Sequence, residues 1–152
     1  MKRDEIINGF EKKAENLLSM LHEIQDSKEE HYLDKEDLIA ASDYLGLPYS
    51  FVHGVATFYT MYSLKPRGKY IVRICQSPPC HLMGSTTISK ELMKVLGVKF
   101  GETTEDKLFT LEMSSCLGVC GVAPAMMIND RVYGNLNPEK IKEIIEQLRR
   151  EK

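Results

Sequence analysis

From Asp4 to about Gln25 the apolar residues Ile7, Phe10, Ala14, Leu17, Leu18, Leu21 and Ile24 recur every three or four positions. This spacing predicts one amphipathic helix with a single buried stripe. The polar run SKEEHY follows as a loop. A second helix is predicted from an Asp34 N-cap to Leu45, with Gly46 and Pro48 as stop signals, and a shorter third one from about Ser50 to Tyr59. The pattern breaks at LKPRGK, Leu64 to Lys69, which is the best domain boundary. Two domains are expected: a helical one over residues 1–66 and a second over residues 67–152.

Past the break the period changes. Tyr70, Val72 and Ile74 fall on one face of a strand, and Phe109, Leu111 and Met113 alternate with Thr110 and Glu112 in another. Between them Ser85 can cap a helix running to about Leu96, with Gly97 just past its end. Ala125 to Ile128 and Arg131 to Tyr133 flank Asn129-Asp130, a two-residue hairpin turn. Asn137 and Pro138 open a last helix whose Ile141, Ile144, Ile145 and Leu148 share one face. The order β-α-β-β-β-α gives an α+β chain with an α/β-type core behind the helical domain. Its first strand, helix and second strand form a crossover unit, so those strands are expected to be parallel and to end at one sheet edge.

Composition narrows the function classes. The 152 residues are 43% hydrophobic and 28% charged, enough to bury a core without staples. A net charge of −2 leaves no basic footprint for nucleic acid. The longest apolar stretch, Gly121 to Ile128, falls far short of the ~20 residues that span a bilayer. The opening MKRDEIINGF lacks the apolar segment of a signal peptide. The expectation is a cytoplasmic protein, free or peripheral to a membrane complex, with no nucleic-acid partner and no direct membrane insertion.

The four cysteines change the picture most. Cys75 and Cys80 form one pair and Cys116 and Cys120 another, and the first 74 residues have none. A reducing compartment opposes disulfides, and the crossover topology brings both pairs to one sheet edge. Four soft thiolates suit zinc or an iron–sulfur cluster, and spacing alone leaves both open. The glycine-punctuated loop CLGVCGVAP favours a cluster, since Gly118 and Gly121 permit φ > 0 and close approach of N–H groups to sulfur. The helix start following Cys80 adds a favourable dipole. Neither pair has the C-x-x-C spacing of a thiol–disulfide oxidoreductase. His81 lacks the second histidine of a Rieske site and reads as a helix-entry residue. Met83, Met113, Met126 and Met127 read as apolar cover near the cluster edge, and Phe58, Tyr59 and Tyr62 as packing between the subdomains. No dinucleotide or P-loop glycine motif and no catalytic triad is present.

Asp106-Lys-Leu-Phe109-Thr110, five further residues and CLGVCGVAP together resemble the signature of the 24 kDa subunit family of respiratory complex I. That family includes the gamma subunits of NAD-linked and electron-bifurcating hydrogenases and of NAD-linked formate dehydrogenases. The resemblance extends through CQSPPCHLMGS and back through KPRGKYIVRIC and LGLPYSFVHGVATFYTMY. It implies a small helical domain followed by a thioredoxin-like ferredoxin domain holding one [2Fe–2S] cluster on Cys75, Cys80, Cys116 and Cys120. It also implies a cis peptide bond at Pro124. The implied role is electron transfer within a multi-subunit NAD(P)H-linked oxidoreductase, beside a flavin (FMN) and NAD(P)H-binding iron–sulfur subunit and further hydrogenase or dehydrogenase subunits. The alternatives are a free-standing thioredoxin-like ferredoxin and a zinc-stabilised binding module.

Overall fold

The computed structural model describes residues 3–151. The chain forms two compact units, Met1–Arg67 and Gly68–Lys152.

The first unit is helical: α1 (Arg3–Asn8), a 3-10 turn (Ala14–Asn16), α2 (Leu17–Asp26), α3 (Lys35–Leu45) and α4 (Tyr49–Phe58). The single N-terminal helix expected from the apolar stripe is thus broken in two. Asn8-Gly9 stops α1, because glycine is about 1 kcal/mol worse than alanine in a helix interior. Tyr44 then holds the intervening loop by donating its hydroxyl to the Phe10 carbonyl at 2.6 Å. The stripe keeps its phase across the break, so Ile6, Ile7, Leu17, Met20, Leu21 and Ile24 all reach one core. Asp34 caps α3 in a reciprocal box with Asp37, and Gly46 ends it at φ 65°. Lys28 binds both carboxylates, which neutralises the buried Asp37.

Tyr62 belongs to this helical core, where its hydroxyl donates to the Leu18 carbonyl at 2.8 Å. Phe58 is 77% exposed. Burial, aided by nearby Tyr59, pushes the Tyr62 phenol up from 10.0 to about 12. A raised folded-state value means full stability below pH 10, lost as pH climbs toward 12 because the unfolded chain ionises first. Alkaline titration of thermal unfolding should therefore show a loss of up to about 2 kcal/mol over that window. Tyr62→Phe should flatten the slope there while costing about 1 kcal/mol at neutral pH. An unchanged slope in the variant would assign the alkaline loss elsewhere.

The second unit is a four-stranded sheet in the order β2-β1-β3-β4. The elements are β1 (Tyr70–Cys75), α5 (Pro78–Leu82), α6 (Ser85–Leu96), β2 (Phe109–Ser114), β3 (Met126–Ile128), β4 (Arg131–Tyr133) and α7 (Pro138–Arg150). β1 and β2 are parallel with Cys75 opposite Ser114, so both run out at one edge, as the crossover requires. β3 joins β1 antiparallel and turns into β4 through Asn129 at φ 50°. Val72, Ile74, Phe109 and Leu111 meet Ile88, Leu92, Ile141 and Ile145 of α6 and α7 in the main core. Met126 is fully buried in that core rather than covering the thiols. Asn137 caps α7 by accepting the Lys140 N–H at 2.8 Å, and Pro138 takes the first helical position. Ser85 is the first residue of α6 rather than its cap; Gly84, at φ 95°, holds the cap position.

Candidate metal centre

Four cysteines sit where the parallel strands end. Cys75 is the last residue of β1, and its N–H donates to the Ala125 carbonyl at 3.2 Å. Cys80 lies within α5, a short helix that the sequence pattern does not reveal. Pro78 and Pro79 start that helix, since their fixed φ suits its first turn and their missing N–H groups would find no partner there. α5 turns the chain back so that Cys80 is buried with Cys75 beside Ala123 and Ala125, with half-buried Leu117 and Val119 against them. Cys116 follows β2 by two residues and Cys120 opens a 3-10 turn, Cys120–Val122; both are exposed.

The second loop is built from main-chain contacts. Gly118, at φ 76°, turns its N–H onto Cys116 Sγ at 3.3 Å. Gly121, expected to need the same freedom, instead sits inside the 3-10 turn at an ordinary φ. Asn135 donates its N–H to the Val122 carbonyl at 2.6 Å, and Leu136 donates to the Pro124 carbonyl at 3.1 Å. Gly134 fits tightly here, because a Cβ on it would stand 2.8 Å from the Val122 carbonyl oxygen. The Ala123–Pro124 bond is cis. The loop is thereby tied to the segment between β4 and α7.

Thiol chemistry follows from these surroundings. Burial opposes a thiolate at Cys75, yet N–H groups of Ser77 and Leu117, with the Cys80 and Ser77 side chains, outweigh it and hold this thiol below the ordinary range. Burial and the neighbouring Cys75 push Cys80 up, against an opposing N–H from Ala125. The adjacent Cys116 pushes Cys120 up. Cys75 and Cys80 lie close enough to bias each other's protonation, Cys116 biases that of Cys120, and Cys120 interacts electrostatically with both Cys75 and Cys80. All four thiols singled out in the sequence are therefore brought together, as two pairs. Among the described residues, no group of three or more His, Cys, Asp and Glu side chains closes on a single ion position.

The remaining expectations divide. His81 lies inside α5, exposed, with Nδ1 3.4 Å from the Thr86 hydroxyl. Met83 and Met113 are exposed. The N–H groups of Ser77, Leu117 and Ala125 escape sequence reading because every residue but proline carries one. Only the fold tells which of them point at sulfur. The donor set fits a two-iron cluster: two thiol pairs, each met by main-chain N–H groups that stabilise negative charge on sulfur.

The sheet order, the cis proline and a thiol site at the ends of parallel strands define a thioredoxin-like domain adapted to hold a metal group. A family model described as thioredoxin-like [2Fe–2S] ferredoxin matches residues 3–149. An NADH-quinone oxidoreductase subunit from Aquifex aeolicus (strain VF5) is 40% identical over 144 residues, covering 95% of this chain and 89% of that protein. Its namesake from Rickettsia conorii (strain ATCC VR-613 / Malish 7) is 49% identical over 104 residues, covering 68% of this chain and only 62% of that protein. A chain of an NAD+-reducing [NiFe]-hydrogenase shares the fold with a TM-score of 0.79 at 24% identity, covering 91% of this chain and 23% of that one. The chain belongs to the thioredoxin-like [2Fe–2S] ferredoxin family.

Proposed function

We propose that Cys75, Cys80, Cys116 and Cys120 hold one [2Fe–2S] cluster, the first pair on one iron and the second pair on the other. On this reading the chain serves as an electron-transfer subunit of an NAD(P)H-linked oxidoreductase. When bound, the cluster takes up and releases one electron at a time. The observation that carries the reading is the meeting of two thiol pairs at one sheet edge, with N–H groups turned onto the sulfurs. The N–H groups of Ser77, Leu117 and Ala125 favour thiolate over thiol at Cys75 and Cys80, which the metal requires. Burial of Cys75 and Cys80 keeps water from the inner side, while exposed Cys116 and Cys120 mark the side from which electrons arrive.

The relatives named as NADH-quinone oxidoreductase subunits support further subunits beside this chain, and we infer that one of them binds NAD(P)H and carries a flavin. Such a flavin takes a hydride as two electrons and passes them on singly. No helix among the described residues is long and apolar enough to cross a membrane. We place the chain in the cytoplasm, free or on the surface of a membrane complex. Metal and sulfide analysis of anaerobically purified or reconstituted protein tests the site. The expected result is about two irons and two labile sulfides per chain. Stoichiometric zinc with no labile sulfide would replace this reading with a zinc-stabilised binding module.

A further inference from the structure

β1 presents alternate faces, and only one carries a charge. Val72 and Ile74 point into the helix-covered core, so Arg73 and Cys75 share the opposite face. Arg73 is buried at 6% exposure in an otherwise apolar strand. Directly across the parallel ladder stands Glu112, whose Oε2 accepts from Arg73 Nε at 3.0 Å. One pleat further along the same ladder is Cys75 opposite Ser114. Residues two apart on a strand lie about 6–7 Å apart. A buried arginine and its partly exposed glutamate partner are therefore fixed one step from a buried thiol of the metal centre.

An ion pair at this depth is weak evidence for stability, since well-packed apolar residues often do as well. Its placement beside Cys75 points elsewhere. We propose that Arg73 and Glu112 bias the reduction potential of the metal centre in opposite directions, a proposal that rests on the ligand assignment above. Uptake of one electron would add one negative charge to the metal group that the thiolates hold, with no bond made or broken at either side chain. Arg73 favours that charge and Glu112 opposes it. Both are held at fixed distance by the ladder and are too buried for salt to screen fully. Joined, they nearly cancel; separated, they act with opposite signs.

The test is a redox titration at pH 8 of the whole chain, followed by EPR with a chemical one-electron reductant and with iron and sulfide content measured for each sample. Glu112→Gln should raise the potential and Arg73→Gln should lower it. Each shift should be about tenfold in the one-electron equilibrium, or ~59 mV. Arg73→Lys should restore the unsubstituted value, and the double Gln variant should fall between the single ones. A purely structural pair would move both single variants the same way or not at all, and that result overturns the proposal. Should Arg73→Gln fail to fold, Glu112→Gln and Arg73→Lys decide alone: an unmoved potential in Glu112→Gln overturns it. An unsubstituted chain that binds no iron and sulfide overturns the ligand assignment, and this proposal with it.

Discussion

Cys75→Ser and Cys80→Ser should each yield protein with essentially no bound iron and sulfide, whereas Cys116→Ser and Cys120→Ser should retain a fraction. The contrast follows from where the four groups sit. Cys75 and Cys80 are buried against Ala123 and Ala125 and receive N–H groups from Ser77, Leu117 and Ala125. A serine oxygen there is shorter by several tenths of an ångström and far less acidic, and no water can take its place at the metal. Outer partners of metal ligands are alone worth about 10–100-fold in affinity, so loss of a buried ligand should cost at least about 100-fold. Cys116 and Cys120 are exposed, so solvent can supply an oxygen ligand where a sulfur is lost. Iron and sulfide per chain, with visible absorption, read the difference. Equal loss in all four variants would show that exposure does not grade the ligands. Full retention in Cys75→Ser would remove that residue from the set.

What the sequence says about this site depends on how far each feature acts along the chain. The capping box at Asp34 and Asp37, the Asn137-Pro138 helix start and the Asn129-Asp130 turn are local, and each stands where the residues place it. Crossover handedness and parallel pairing follow from element order, and with them the common edge of Cys75 and Cys116. α5 is invisible in the pattern because five residues with two prolines carry no helical period. The first helix reads too long because its stripe continues in phase across Gly9. Arg73 does not stand out in a strand of apolar residues. Its partner lies 39 positions away, and nothing local shows that Glu112 stands opposite. Met126 is misplaced for a related reason: one step of strand register decides between the two faces of a sheet.

NADH alone should leave the cluster-loaded chain oxidised, and a catalytic amount of the proposed flavoprotein partner should bring reduction. A nicotinamide gives up a hydride, two electrons together, and four thiolates offer neither a hydride acceptor nor a nucleotide pocket. The chain carries no glycine-rich dinucleotide motif, and the β1 strand leads into Ser77-Pro78-Pro79 rather than a phosphate-binding turn. A flavin bridges the mismatch by accepting the pair and releasing its electrons one by one. The receiving side of this chain is expected to be the rim that bears exposed Cys116 and Cys120; Leu82 and Met83, just past Cys80 in the chain, are exposed as well. Apolar side chains at a rim exclude water when a second protein covers them. The measurement is bleaching of visible cluster absorption under anaerobic conditions, with chain, NADH and flavoprotein mixed in every combination. Reduction by NADH without flavoprotein would mean a nucleotide site within this chain. Reduction by dithionite but never by NADH with flavoprotein, in a protein that also purifies alone, would leave a free-standing one-electron carrier in place of a subunit.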